Sequence, residues 1–292
     1  MARTSGGLLA AAVSNAGGLG VIGGFMYTPD QLRDIIAELK ANLTSPSLPF
    51  GIDLALPQLG GGARPTNHDY THGKLDELID ITIASGARLF VSAVGVPPGP
   101  VIDRLHAAGI LALDLGVDMV CAQGGEGGGH TGAIASSVLI PAVVDVARRY
   151  RPAMLGGSQP ALVGAAGVWV GTRFVASVEA SCSQQHKDEV VSCGFEGTER
   201  TLVLSGRPLR MKTNDCCASG VVPIEYDLDQ GNEIDPPHLM GQVAGAIKEM
   251  VAEAVEMLEI GAGYLKGSAR GGSRLESGGC GVYMMRLLVC RA

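Results

Sequence analysis

The chain has 292 residues, and its 22 basic against 29 acidic side chains leave a net charge of −7. With a negative balance and no basic block, neither nucleic acid nor an anionic membrane surface is an expected partner. A hydrophobic share of 46% can fill a large core, while no apolar run is long enough to span a bilayer. Seven scattered cysteines, with only Cys216 and Cys217 adjacent, read as free thiols of a reducing, cytoplasmic compartment. No spacing of His68, His72, His106, His186 or His238 with cysteines or carboxylates suggests a metal site. The 43 glycines against an aromatic share of 4% point to many tight strand–helix turns. The length admits two domains, but α/β barrels reach this size as one.

Residues 8–13 form an apolar helix, and 21–24 read as a strand. Thr28-Pro29-Asp30-Gln31 is a helix start, with a threonine cap, proline in the first turn and glutamine three residues after the cap. Leu32, Ile35, Ile36 and Leu39 then supply one apolar face. A strand follows over 50–56, carrying Asp53 among apolar neighbours, where an unpaired carboxylate is costly to bury. Residues 60–73 make a long polar loop, 74–84 a helix, 88–94 a strand and 101–108 a helix stopped by Gly109. This alternation implies a parallel sheet. Residues 111–116 then read as the tail of a helix running directly into a strand at 117–122. A parallel crossover needs about a dozen residues, so the expected strand and half-helix are absent here.

The strand at 117–122 ends in a loop with five glycines within six residues, closed by His130. Glycine allows close backbone approach and positive φ, and histidine is the side chain that titrates nearest neutrality. A buried strand delivering such a loop is how α/β proteins build a site at strand C-termini. His130 is therefore the candidate general base; the alternative is a capping histidine on a surface loop. Glu126 in the same loop reads as a solvated carboxylate. A helix over 138–149 follows. Residues 161–163 and 168–170 read as strands with no helix between them. Gly171-Thr172 come next, and their N–H groups can face a phosphate at a helix N-terminus, or simply form a βα turn. A helix over 175–180, a mixed stretch over 181–210, an irregular one over 211–235 and a long helix over 239–259 complete the ordered part. Val243, Ile247, Val251, Val255 and Leu258 define the apolar face of that last helix. Met240-Gly241-Gln242 open it, with Gly241 free to approach a barrel mouth.

Three runs together resemble the nitronate monooxygenase family, also called 2-nitropropane dioxygenases, in particular its fungal members. They are Leu8-Leu9-Ala10-Ala11-Ala12-Val13-Ser14-Asn15-Ala16-Gly17-Gly18-Leu19-Gly20, the loop from Ala122 to Gly132, and Gly167-Val168-Trp169-Val170-Gly171-Thr172-Arg173-Phe174. The resemblance implies an α/β fold of the (β/α)8 TIM-barrel type over residues 1–265, binding FMN, with an irregular insertion near 181–238. Residues 266–292 would be an irregular tail. It implies oxidation of alkyl nitronates, propionate 3-nitronate among them, with O2, giving a carbonyl compound and nitrite. His130 would take the α-proton of a neutral nitroalkane or position the anionic nitronate.

The same resemblance places Met1 and Ala2 along the flavin, Asp53 near it, Gln123 on its pyrimidine edge and Gly128 where backbone approaches it. Trp169, Val170, Gly171 and Thr172 would hold the FMN phosphate. Three departures mark the chain as a family sequence with blocks removed. The strand before Met1 is absent, the junction at Ile110 lacks a strand and half a helix, and that at Val163 lacks a phosphate-binding turn and its helix. An incomplete barrel with open strand edges is the consequence expected. An FMN-dependent enoyl reductase on the same barrel, or a product unable to hold FMN, are the competing readings.

Overall fold

In the computed structural model, residues 4–56, 69–93, 97–112, 121–150, 169–204, 207–214 and 237–251 are described. Helix α1 (Gly7–Asn15) leads into β1 (Gly20–Gly23), α2 (Pro29–Asn42) into β2 (Phe50–Leu54), α3 (Leu75–Ser85) into β3 (Leu89–Ser92), and α4 (Gly99–Ala107) into β4 (Leu111–Ala112). The strands form one parallel sheet in the order β1-β2-β3-β4, with Ile22 beside Ile52 and Ile52 beside Phe90.

Local chemistry accounts for the helix limits. Thr28 accepts from the Gln31 amide at 3.3 Å while the Gln31 side chain accepts from the Thr28 amide at 3.0 Å, a reciprocal capping box. Gly86 ends α3 at φ 78°, in the left-handed region that glycine enters without steric cost.

β4 corrects the sequence reading, which continued a helix through 111–116. Gly109 turns the chain after α4 at φ 72°, and the Ile110 amide bonds back to the Leu105 carbonyl at 2.9 Å. Those contacts close the helix, and Leu111 and Ala112 pair with Leu89 and Phe90. The strand–helix rhythm thus continues across a junction that looked broken. The remainder of the expected strand, 117–120, lies outside the described residues; Cys121 and Ala122 adopt no regular structure.

Alternation divides the sheet into two faces. Ile22, Ile52, Leu54 and Phe90 pack against Leu32, Leu39, Leu78 and Leu105 of the helices, forming the main core. Each such fully buried side chain contributes about 1.5–3 kcal/mol relative to exposure. The opposite face carries Leu89 and Val91, with Leu19, Val21 and Trp169 against them. Asp53, one residue from both Ile52 and Leu54, belongs to this inner face.

The outer edge of β1 is not bare. Ser5 donates its hydroxyl to the Val21 carbonyl at 2.5 Å and accepts from the Gly23 amide at 2.9 Å, while Thr4 accepts from Ser181 at 3.0 Å. A short hook therefore stands where the sequence reading expected an open edge.

The later part is more regular than the insertion anticipated. After α5 (Ser136–Tyr150) come the single turn α6 (Thr172–Val175), α7 (Gln184–Ser192), β6 (Thr198–Thr201) and β7 (Leu209–Lys212). The helix expected over 175–180 is this earlier, shorter turn. Trp169 and Val170, expected in a strand, have no regular structure, and 161–168 lie outside the described residues.

The long helix expected from 239 is also absent among the described residues. Its place holds a 3₁₀ turn, Gln242–Ala246, followed by extended backbone at Ile247. Tertiary partners claim the amides a helix would use: Gln242 donates to the Glu126 carbonyl and Val251 to the Ala176 carbonyl, both at 3.0 Å. Gly245 lies so close to Phe195 that an added Cβ would meet its ring at 2.6 Å. The rest of that span, 252–259, and the tail at 266–292 lie outside the described residues.

Candidate active site

Asp53 stands on the inner sheet face between Gly23 of β1 and Val91 of β3. Its Oδ1 is shut from solvent and accepts no hydrogen bond from the described residues. Burial pushes its carboxyl up to about 6. Cys121 lies within the reach of this charge: although the residue has an exposed side, desolvation of its thiol first, then the Asp53 carboxylate, pushes the thiol up to about 11. A purely structural carboxylate satisfied by backbone donors would not leave Oδ1 without a partner among the described residues. An orphaned, buried acceptor on the inner face instead fits a bound group that brings its own donor.

The glycine loop is held from within. The Gln123 amide nitrogen donates to the Gly128 carbonyl at 3.0 Å and to the His130 carbonyl at 3.2 Å. Thr131 donates its hydroxyl to the Gly124 carbonyl at 2.6 Å. Glu126, read from sequence as solvated, accepts from the Ser136 amide at 2.9 Å and from its hydroxyl at 3.0 Å. Those bonds, the backbone one foremost, hold its carboxyl below the ordinary range, and they place a negative charge at the start of α5.

The glycines face protein atoms. A Cβ on Gly124 would meet Ser136, one on Gly127 would meet the Gln123 side chain, and one on Gly128 would lie 2.6 Å from the Met240 carbonyl carbon. The closeness that the sequence reading assigned to flavin at Gly128 is taken by the Met240–Gly241 backbone.

His130 sits in β5 (Gly129–His130), which pairs antiparallel with β7 so that His130 lies opposite Leu209 and Gly129 opposite Arg210. The ladder continues one rung further, with the Thr131 amide donating to the Pro208 carbonyl at 3.2 Å. Arg210 locks the arrangement: its Nε donates to the Gly125 carbonyl at 2.9 Å and its guanidinium also reaches the Thr198 carbonyl at 3.1 Å. Although His130 has an exposed rim, partial desolvation and the nearby Arg207 guanidinium both lower its pKa below the ordinary 6.5. The imidazole is therefore neutral at pH 7, the form able to accept a proton.

The third group of predicted residues is placed nearby in sequence order but has other partners. Trp169 packs on Leu89 and Val91, and Val170 on Leu9, Val13 and Phe174. Gly171 caps α6 without a side-chain bond, and the Thr172 hydroxyl accepts from the Gly241 amide at 2.9 Å. Gly241 thus links Thr172 to the His130 loop, since a Cβ there would meet the Glu126 carbonyl at 2.7 Å. Met1 and Ala2 lie outside the described residues.

The sequence reading missed Arg207, Arg210 and the β6–β7 hairpin that carries them. Pairing between strands far apart in the chain leaves no local signature. Among the described residues no three His, Cys, Asp or Glu side chains are grouped to hold a metal ion, and no helix is long and apolar enough to cross a membrane.

Comparison with known proteins places these features in a family. The nitronate monooxygenase profile matches residues 1–263. A Staphylococcus saprophyticus protein named "Probable nitronate monooxygenase" is 27% identical over 84% of the chain and 80% of its own length. A Mycobacterium tuberculosis (3aS,4S,5R,7aS)-5-hydroxy-7a-methyl-1-oxo-octahydro-1H-indene-4-carboxyl-CoA dehydrogenase is 30% identical over 72% of the chain, which spans 61% of that relative's length. Among solved structures, FabK from Thermotoga maritima superposes with a TM-score of 0.70 at 25% identity, covering 93% of this chain and 92% of that one. Nitroalkane oxidase from Streptomyces ansochromogenes gives 0.72 at 22% identity, covering 93% and 95%, a likeness of fold alone. The parallel sheet with its helices is accordingly of the TIM-barrel type. With its glycine loop, neutral histidine and orphaned inner-face carboxyl, the chain belongs to the nitronate monooxygenase family of oxidoreductases.

Proposed function

We propose that the chain is an FMN-dependent nitronate monooxygenase that oxidises small alkyl nitronates, of the propionate 3-nitronate type, with O2 to a carbonyl compound and nitrite. The observation that carries this reading is the neutral imidazole of His130, held at the end of a loop braced by Gln123, Arg210 and Met240. A carbon acid within about 3 Å of such a nitrogen can lose its proton to it at pH 7. Family members are flavin enzymes, and the orphan Oδ1 of Asp53 on the inner face fits a flavin's hydrogen-bond donors. Asp53, Gln123 and the backbone of Gly171–Thr172 are the residues proposed to hold it. The flavin, when bound, supplies the electron transfer; the protein supplies position and electrostatics. His130 receives the proton of a neutral nitroalkane, or faces the anionic nitronate, and Arg207 adds positive potential beside it.

The test begins by adding FMN to the purified chain and following the visible flavin band through gel filtration. Nitrite and carbonyl release from a preformed nitronate under air is the expected activity. A chain that stays colourless would sink the flavin reading and leave a product unable to hold FMN. A second reading, an FMN-dependent reductase related to enoyl reductases, draws on the 30% identical relative that is named as a dehydrogenase of an acyl-CoA. Oxidation of a nicotinamide cofactor by the flavin-loaded chain, without nitronate turnover, would favour it.

A further inference from the structure

The consecutive residues His238 to Gln242 strap the glycine loop to the rest of the molecule. The His238 carbonyl accepts from the Lys212 amide at 2.9 Å, and the Leu239 carbonyl meets His186 Nε2 of α7 at 3.1 Å. The Met240 backbone presses on Gly128. The Gly241 amide donates to the Thr172 hydroxyl at 2.9 Å, and the Gln242 amide to the Glu126 carbonyl at 3.0 Å. The Leu239 side chain packs on the cluster of Val203, Leu209 and Met211, and Leu209 lies opposite His130 in the ladder. The aim of His130 therefore depends on this strap.

One contact of the strap can change its charge near neutral pH. The His186 and His238 rings lie with centroids 5.1 Å apart, tilted by 41°. His238 is buried and His186 half-buried, and the His186 amide donates to the capping Ser183 hydroxyl at 3.2 Å. A carbonyl only accepts, so Nε2 carries the proton of the neutral His186 ring. A second proton enters at Nδ1 and leaves the bond to Leu239 intact. It instead sets a cation against His238, and a charged His238 then repels it. Neighbouring residues of the strap are thereby loaded in opposite senses, Leu239 held and His238 pushed away.

The charged groups of the packed elements have fixed partners. Glu189 of α7 is ion-paired with Lys212 of β7, and Gln184 donates to Asp188 at 2.7 Å. Lys187 is held on the Val178 carbonyl and Lys248 on the Cys193 carbonyl, both at 3.1 Å, while Arg173 of α6 donates to the Glu249 carbonyl at 3.0 Å. Desolvation lowers the His186 pKa below the ordinary 6.5; the Leu239 carbonyl raises it in part, His238 lowers it again, and Glu189 opposes.

We propose that His186 and His238 form a pH-sensitive clamp that positions the His130 loop, double protonation of the pair releasing the strap from Gly128 and Thr172. Both are positioning residues, and the inference holds whichever substrate is oxidised. The released state binds the second proton more tightly than the clamped one. The clamp is therefore present above the ordinary value of about 6.5 and is lost as pH falls from there through the lower folded-state value.

Amide hydrogen exchange of Gly241 and Gln242 in the full chain, corrected for its intrinsic pH dependence and referred to Ile52 of β2, reads the clamp directly. From about pH 7.5 to about pH 5, protection in the wild type should fall by roughly tenfold or more, the scale set by two like charges about 5 Å apart at a partly buried site. His186→Gln keeps a donor for the Leu239 carbonyl and His238→Phe keeps the ring contact, but neither can hold two charges. In each variant the fall should shrink to less than about threefold. An equal fall in the variants, or none in the wild type, would overturn the proposal. Proton NMR of the two imidazoles in the wild-type chain gives a readout that needs no substitution. Two separated titration steps, the later one below the ordinary value, support the clamp; both rings titrating together at the ordinary value would refute it.

Discussion

The backbone of Gly128 is pressed against that of Met240, so that a single methyl group at position 128 would come within 2.6 Å of the Met240 carbonyl carbon. Neither segment has slack, because Gly241 meets the Glu126 carbonyl on the other side. Gly128→Ala should therefore cost about 1–3 kcal/mol of stability through overpacking and displace the His130 strand. Gly132→Ala, where nothing lies within 4 Å, is the matched control. Chemical denaturation of the two variants checks this; equal midpoints would show that the loop yields freely.

His130→Asn should abolish turnover of neutral nitroalkanes while sparing preformed nitronates to a much greater extent. Only the neutral substrate needs a proton removed, and general-base catalysis is typically worth about 10²–10⁴-fold. Initial rates on the two forms of one compound decide it. Comparable losses on both would mean that His130 positions the substrate and does not act as a base.

The acid limb of kcat/KM for a neutral nitroalkane should fall at a pH below 6.5, since desolvation and then Arg207 both lower the His130 pKa. Removing the cation in Arg207→Gln should move that limb upward toward the ordinary value, without restoring it fully because desolvation remains. A pH–rate profile of each protein provides the measurement. A limb unmoved by the substitution would place Arg207 too far from the imidazole to matter.

Asp53 gives a stability signature of its own. Its folded-state carboxyl is raised from 3.8 to about 6, so the folded protein binds the proton more tightly than the unfolded chain. The stabilisation is complete below the unfolded value and is lost as pH rises through about 6, a change on the order of 3 kcal/mol. Asp53→Asn, which cannot ionise, should flatten the fall in melting temperature of the flavin-free protein between pH 4 and 7. An unchanged slope would remove Asp53 as its source.

Sequence reading reached the local features and stopped at the tertiary ones. The α2 capping box was legible because its residues lie three apart and bond to one another. The β2 and β3 strands were legible as apolar runs. β4 was hidden by good helix formers at Leu111 and Ala112, which tertiary pairing with Leu89 and Phe90 overrides. The apolar spacing at Val243, Ile247 and Val251 mimicked a helix, yet Val243 is 53% exposed and the backbone there bonds to Glu126 and Ala176. Within the site, His130 and Asp53 stood out by type and surroundings. Arg207 did not, because its meaning comes from a ladder joining residues far apart in the chain.

That ladder also sets an order of assembly. The parallel sheet from β1 to β4 closes on neighbours that follow one another along the chain. The histidine strand, by contrast, takes its place only when Leu209 has arrived beside it and Met240 has come up behind Gly128. Contacts of such long sequence separation form late, because the intervening chain must first be ordered. During synthesis the barrel sheet can consolidate while its reactive group is still undirected. A chain interrupted before the hairpin would keep a folded half and carry a histidine with nothing to aim it.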